Sequence, residues 1–289
     1  MSKKQVSADS VHGFDISEHI VSEKKAMSFS IGRGTHPKDV IIRLGDVRIG
    51  GKEPVYFAGP CAVDDRDLFL NTVKILVKQG IKLIRANLYK FRTYASSFQG
   101  LHEQGLDILR EAKEKFGVYL VTEVLDSRQI EILEPVVDIY QVGSRSMDNT
   151  ALLGALGQVN KPVLLKRMYA ANVGEFLAAA EYIAQAGNSR VILCERGIRS
   201  FEPWTRFLLD VPGIALLRKV SPLPVIADIS HSLGRIDLAI PVARAALAAG
   251  ANGLMVEVHQ NPKQAKSDAH QQMTPGEFAA LVKGMRSVR

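Results

Sequence analysis

Only two cysteines, Cys61 and Cys194, occur in 289 residues. That excludes a disulfide framework and fits a reducing compartment. No run approaches the roughly 18 uninterrupted apolar residues of a membrane-spanning helix. The opening segment, Met1-Ser2-Lys3-Lys4-Gln5-Val6, lacks the apolar stretch of a secretory signal. A cytoplasmic protein with no membrane partner is expected. Nothing of the form Gly-x-Gly-x-x-Gly follows the first strand-like run, so the usual mark of a dinucleotide fold is missing. The net charge is +7, yet no block of about five or six like charges exists. A nucleic-acid partner is therefore not expected, and a basic pocket accounts for part of the excess.

What is present is an ordinary globular composition, 46% apolar and 23% charged, in a chain long enough for one large domain. Residues 1–38 are polar and weakly patterned and read as an N-terminal extension. The remainder, 39–289, reads as one domain that opens with a hairpin over 39–52, two short strands about the Gly45-Asp46 turn. From Pro54 onward strand and helix patterns alternate. Short Val/Ile/Leu-rich runs fall at 54–59, 81–85, 118–123, 136–142, 161–166, 190–195, 223–228 and 252–257, as expected of parallel strands buried on both faces. Amphipathic stretches between them include 65–79, 101–116, 173–186, 237–249 and 275–285. Eight such units predict an α/β fold, a (β/α)8 TIM barrel whose N-terminal mouth the hairpin caps. An open doubly wound sheet is the alternative.

In such barrels chemistry gathers at the C-terminal ends of the strands. Cys61 follows the first run, Arg85 and Lys90 the second, and Glu123 closes the third. Arg145, Lys166 and Arg196 follow or end the fourth to sixth, His231 follows the seventh, and Glu257 closes the eighth. A lone Cys or His is usually core packing. Cys61, His231, Glu257 and Asp268 together suit a divalent transition metal with mixed S/N/O ligation, namely Mn, Fe, Co or Zn rather than Mg. Arg85, Lys90, Arg92, Arg145, Lys166 and Arg196 on the same rim repel one another unless an anion satisfies them. A small substrate carrying phosphate and carboxylate fits that set. Cys194, inside the sixth run, reads as core.

Ala58-Gly59-Pro60-Cys61, Lys90-Phe91-Arg92-Thr93, Ser97-Phe98-Gln99-Gly100, Leu164-Leu165-Lys166-Arg167, Cys194-Glu195-Arg196-Gly197, Ser230-His231, Glu257-Val258-His259 and Ser267-Asp268 occur in that order. In these segments the chain resembles the 3-deoxy-D-arabino-heptulosonate 7-phosphate (DAHP) synthases of the branch related to 3-deoxy-D-manno-octulosonate 8-phosphate synthases. The resemblance implies condensation of phosphoenolpyruvate with a phosphorylated aldose, erythrose 4-phosphate first among them. DAHP and phosphate would be the products, at the entry to the shikimate route to aromatic amino acids. It also implies a homotetramer or homodimer. By motif position, Cys61, His231, Glu257 and Asp268 would hold the metal. Arg85, Lys90, Arg145, Lys166 and Arg196 would grip phosphoenolpyruvate, and Arg92 and Thr93 the aldose phosphate. Lys90 is the choice for proton delivery. Glu123 either orients the attacking water or pairs with a rim arginine.

The departures from the family pattern cluster on the aldehyde side. The usual Lys-Pro-Arg-Thr-Ser element reads Lys90-Phe91-Arg92-Thr93-Tyr94, which loses the proline and adds bulk. Thr-Arg-Asn-Thr reads Thr205-Arg206-Phe207-Leu208. A paralogous synthase acting on another aldose in a specialised pathway is therefore an alternative, and a non-catalytic barrel with a binding role is a further one.

Overall fold

The computed structural model describes residues 10–11, 14–15 and 21–285. Eight parallel strands close into a barrel: β1 (Val55–Gly59), β2 (Leu83–Arg85), β3 (Tyr119–Val124), β4 (Ile139–Val142), β5 (Val163–Lys166), β6 (Val191–Glu195), β7 (Val225–Asp228) and β8 (Gly253–Glu257). Closure is made by β8 against β1, with Gly253 opposite Val55 and Glu257 opposite Gly59. All eight strands lie inside or within a residue of the predicted runs. The open doubly wound sheet is thereby excluded.

The strands alternate faces with a period of two, as a pleated backbone requires. Val163, Leu165, Val191 and Leu193 pack outward in the cluster shared with the helices. Leu164, Ile192 and Cys194 point inward, where they meet Phe57, Leu83, Val121, Ile139, Ile226 and Met255. Cys194 is thus core, as read. The same alternation carries one step further towards the C-terminal rim. Arg85, Glu123, Gln141, Lys166, Asp228 and Glu257 each lie two residues beyond a member of that inner layer, in the register that faces the barrel axis.

The hairpin of Ile42–Leu44 and Val47–Ile49 is antiparallel about Gly45, whose φ of 51° suits the left-handed turn position. Its Ile42 and Ile49 are buried within the inner layer and close the N-terminal mouth. Each contributes roughly 1.5–3 kcal/mol of apolar burial to that plug. Ahead of it, Glu23–Met27 forms a short helix capped by Ser22.

Polar side chains start the crossover helices where the sequence offers them. Asp65 caps Arg66–Lys78, and Asn172 with Glu175 forms a capping box on Val173–Gln185. Among the described residues the helices Arg128–Leu133, Thr150–Gly157, Val211–Val220 and Ile229–Leu233 lie outside the amphipathic stretches read from the sequence. Thr150–Gly157 is apolar almost all round, so no polar face betrays it. Ile229–Leu233 is only five residues long and starts because Asp228 Oδ1 accepts from His231 N–H at 3.0 Å. That cap fixes the entry of His231 into the barrel mouth. Among the described residues no helix is long and apolar enough to cross a membrane.

Candidate active site

Cys61, His231, Glu257 and Asp268 come together from three separate parts of the chain, with one potential ligand atom from each within 4.8 Å of all the others. Gly59 makes the approach of β1 to β2 feasible, because at its φ of 140° a Cβ would lie 2.5 Å from the Arg85 carbonyl oxygen. Cys61 is fully buried, and its Sγ lies 3.0 Å from Asp268 Oδ2 and in contact with Lys90 Nζ. Asp268 holds a left-handed backbone (φ 47°), which aspartate tolerates better than most residues. Its other oxygen accepts from Arg206 at 3.1 Å.

His231 Nδ1 lies 2.9 Å from Asp228 Oδ2, and Asp228 in turn holds Lys166 Nζ at 2.6 Å. With its Nδ1–H donating to Asp228 Oδ2, the imidazole turns the Nε2 lone pair towards Glu257 Oε1, 3.3 Å away. Glu257 Oε1 is buried and lacks a hydrogen-bond partner, while Oε2 accepts from Gln271 at 2.7 Å. Two lone pairs facing each other at that distance repel, and a cation between them removes the conflict. The ionisation states agree. Burial lowers the His231 pKa to about 4 against the pull of Asp228 and Glu257, which leaves the ring neutral. Burial opposes ionisation of Asp268, but Lys90 and the Cys61 thiol outweigh it and hold the carboxyl far below its usual range. Burial and Glu257 push the Cys61 thiol up, with Lys90 opposing. A metal binding there would have to displace that proton. One thiol, one neutral imidazole and two carboxylates fit a divalent transition metal.

The depressed imidazole has a consequence for folding. In the unfolded chain His231 takes a proton near its ordinary 6.5, whereas in the native protein it resists to about 4. Stability from this group is complete above pH 6.5 and is lost as pH falls towards 4, by at most about 3 kcal/mol. Denaturant titrations of metal-free protein between those pH values should show that slope, and His231→Asn should flatten it. An equal slope in the variant would assign the acid sensitivity elsewhere.

Beside this cluster lies a cavity of about 250 Å³ whose wall includes all six predicted cations. Arg85 is fully buried. None of its three guanidinium nitrogens makes a hydrogen bond, although Nη1 passes 3.1 Å from Glu257 Oε1. Arg196 is nearly buried, and its Nη1 is equally idle. Unpaired guanidinium donors cost several kcal/mol in so dry a setting, and an anion in the cavity would satisfy them. Lys90 is held charged: burial works against the ammonium, but Cys61, Glu257 and Asp268 more than compensate. Lys166 is already committed to Asp228. Arg145 is exposed and leans on the Phe91 ring, 4.9 Å from its centre, while its Nη2 reaches Thr93 Oγ1 at 3.5 Å. Arg92 stands 3.9 Å from Asp268. Glu123 lines the cavity and accepts from Gln141 at 3.4 Å. Among the described residues it makes no ion pair at contact distance, although its charge supports those of Arg85 and Lys90.

Asp228, Gln141 and Gln271 at the site were not among the sequence candidates, and Arg206 stood there only as part of the altered Thr205-Arg206-Phe207-Leu208 segment. The inward register marks the first two. Gln271 and Arg206 come from loops and carry no such mark.

The sequence model of the DAHP synthetase I family matches residues 20–288. The chain belongs to the DAHP synthetase I family. Its similarity to the phospho-2-dehydro-3-deoxyheptonate aldolase of Thermotoga maritima is 45% identity over 99% of this chain and 84% of that protein. With the 2-dehydro-3-deoxyphosphooctonate aldolase of Histophilus somni (strain 2336) it shares 32% identity over 86% of this chain and 94% of the relative. Both branches named by the sequence resemblance are thus represented. The crystal structure of the Thermotoga maritima DAHP synthase superposes with a TM-score of 0.86 at 47% identity, covering 89% of this chain and 75% of the other. A truncated form of that enzyme gives 0.82 at 44% identity, over 89% and 94%. The family is one of aldolase-type transferases, which makes this chain an enzyme and sets aside the non-catalytic barrel.

Proposed function

We propose that this enzyme condenses phosphoenolpyruvate with erythrose 4-phosphate to give DAHP and inorganic phosphate, at the head of the shikimate pathway. The idle donors of Arg85 and Arg196, facing one cavity beside a four-ligand cluster, support this reading most directly. They suit a ligand that brings both carboxylate and phosphate. Phosphoenolpyruvate is such a ligand, gripped by Arg85, Lys90, Arg145, Lys166 and Arg196.

Cys61, His231, Glu257 and Asp268 would hold a divalent ion, and when bound it would act as a Lewis acid towards the aldehyde oxygen of the aldose. Asp228 keeps the His231 ring in the tautomer that such a role requires. The arginines hold the enol phosphate against the aldehyde, so that C3 of phosphoenolpyruvate bonds to the aldehyde carbon. Lys90, charged and at the cavity wall, delivers a proton to the aldehyde oxygen. Positive charge develops at C2, Glu123 orients water onto it and takes up its proton, and the C–O bond to phosphate then breaks. Arg92 and Thr93 hold the aldose phosphate at the outer end of the cavity.

A second reading keeps this chemistry and changes the aldose. Phe91 and Tyr94 stand exposed on the cavity wall beside Arg92 and Thr93, where they alter the space for the sugar. Phosphate release from phosphoenolpyruvate, measured with a panel of phosphorylated aldoses, separates the two. Erythrose 4-phosphate should give the highest kcat/KM. A much higher value for another aldose would select the paralogous reading, and no phosphate release with any of them would sink both.

A further inference from the structure

Arg196 poses a physical problem that the proposed chemistry does not solve. The residue is 5% exposed, and among the described residues no carboxylate forms an ion pair with it. Only Nη2 has a partner, the His231 carbonyl at 3.3 Å, and Nη1 is left unbonded. What lies against the cation instead is the face of Phe207, whose ring centre is 4.0 Å from Cζ.

Phe207 is itself held by its neighbours. Tyr169 stacks on it with ring centres 5.4 Å apart, and Arg199 lies over Tyr169 at 4.8 Å. Phe207 N–H donates to the Ser232 carbonyl at 2.8 Å, one residue beyond His231. Ile198 and Leu208 exchange two backbone hydrogen bonds that fold the loop back beneath Arg196. Gly197 permits this return, since a Cβ there would sit 2.7 Å from Phe207 Cβ at a φ of 94°. The preceding residue, Arg206, anchors Asp268. One short segment therefore touches both the ligand cluster and the anion cradle.

We infer that Phe207 is a positioning residue: its ring carries the Arg196 guanidinium and aims its free N–H donors at the substrate anion. The chemistry explains why a ring occupies this place. A carboxylate beside Arg196 would consume its donors and repel the incoming anion. An aromatic face stabilises the charge through its quadrupole and leaves the N–H edge open.

The inference rests on Arg196 binding phosphoenolpyruvate, as proposed above, and it is tested by calorimetric binding of phosphoenolpyruvate to the metal-free protein, without turnover. Phe207→Leu should weaken binding about tenfold, and Phe207→Tyr should stay within about twofold of wild type. Tyr169→Leu, which loosens the ring from behind, should cost about threefold and serves if Phe207→Leu fails to fold. In an Arg196→Ala background Phe207→Leu should add less than about twofold, because the nearest cation on the ring is then gone and Arg206, 6.0 Å from the ring centre, is held by Asp268 and Gln271 instead. Wild-type affinity in Phe207→Leu, or a full tenfold loss that persists without Arg196, would overturn the role. If wild type takes up neither phosphoenolpyruvate nor inorganic phosphate, the proposed function falls and this role falls with it.

Discussion

If the proposed metal site is right, Cys61→Ala should leave the purified protein without a bound divalent metal and lower kcat/KM by roughly a thousandfold or more. The expectation follows from where the thiol sits. It is fully buried between Lys90 and Asp268, so no water-borne ligand takes its place without disturbing both. Folding should survive, because Lys90 keeps Asp268 at 3.4 Å as its partner. Elemental analysis by plasma mass spectrometry and steady-state phosphate release together check the outcome. A Cys61→Ala protein that retained one metal per chain and turned over normally would remove the thiol from the proposed cage.

Arg85→Met should have the second large effect, on the ligand rather than on the metal. Phosphoenolpyruvate binding should weaken by about 2–5 kcal/mol, because the anion loses a desolvated guanidinium. The fold should lose stability as well, by about 3–5 kcal/mol, because Arg85 Nη1 lies 3.1 Å from the buried Glu257 Oε1 and its removal leaves that carboxylate without its cation. Glu257 would keep the Gln271 amide at 2.7 Å as its hydrogen-bond partner. Calorimetric titration and denaturant unfolding of the same preparation separate the two quantities. Unchanged affinity would mean that Arg85 does not face the ligand.

The barrel was legible because buried parallel strands leave short continuous apolar runs, and eight of them at regular intervals admit few architectures. Much of the rim was legible for a related reason, since functional side chains on a closed sheet obey the same period as the core. Ile226 points inward, hence Asp228 does, and Leu83 likewise directs Arg85. Pair chemistry was not legible. Lys166 and Asp228 are 62 residues apart, and nothing in either segment announces that one neutralises the other. Arg145 shows the converse, because only coordinates reveal that it stands at the exposed edge on Phe91 rather than deep beside Arg85. Thr150–Gly157 was missed because a helix with no polar face gives periodicity nothing to report.

The plug formed by Ile42 and Ile49 has a bearing on traffic. A vessel stoppered below has a single doorway, and its contents are necessarily stacked. Arg85 is fully buried while Arg92 and Thr93 stand nearer the solvent on the same cavity wall, so a ligand against the first would lie underneath one held by the other two. On the proposed assignment the two substrates would therefore have to load from the bottom upward.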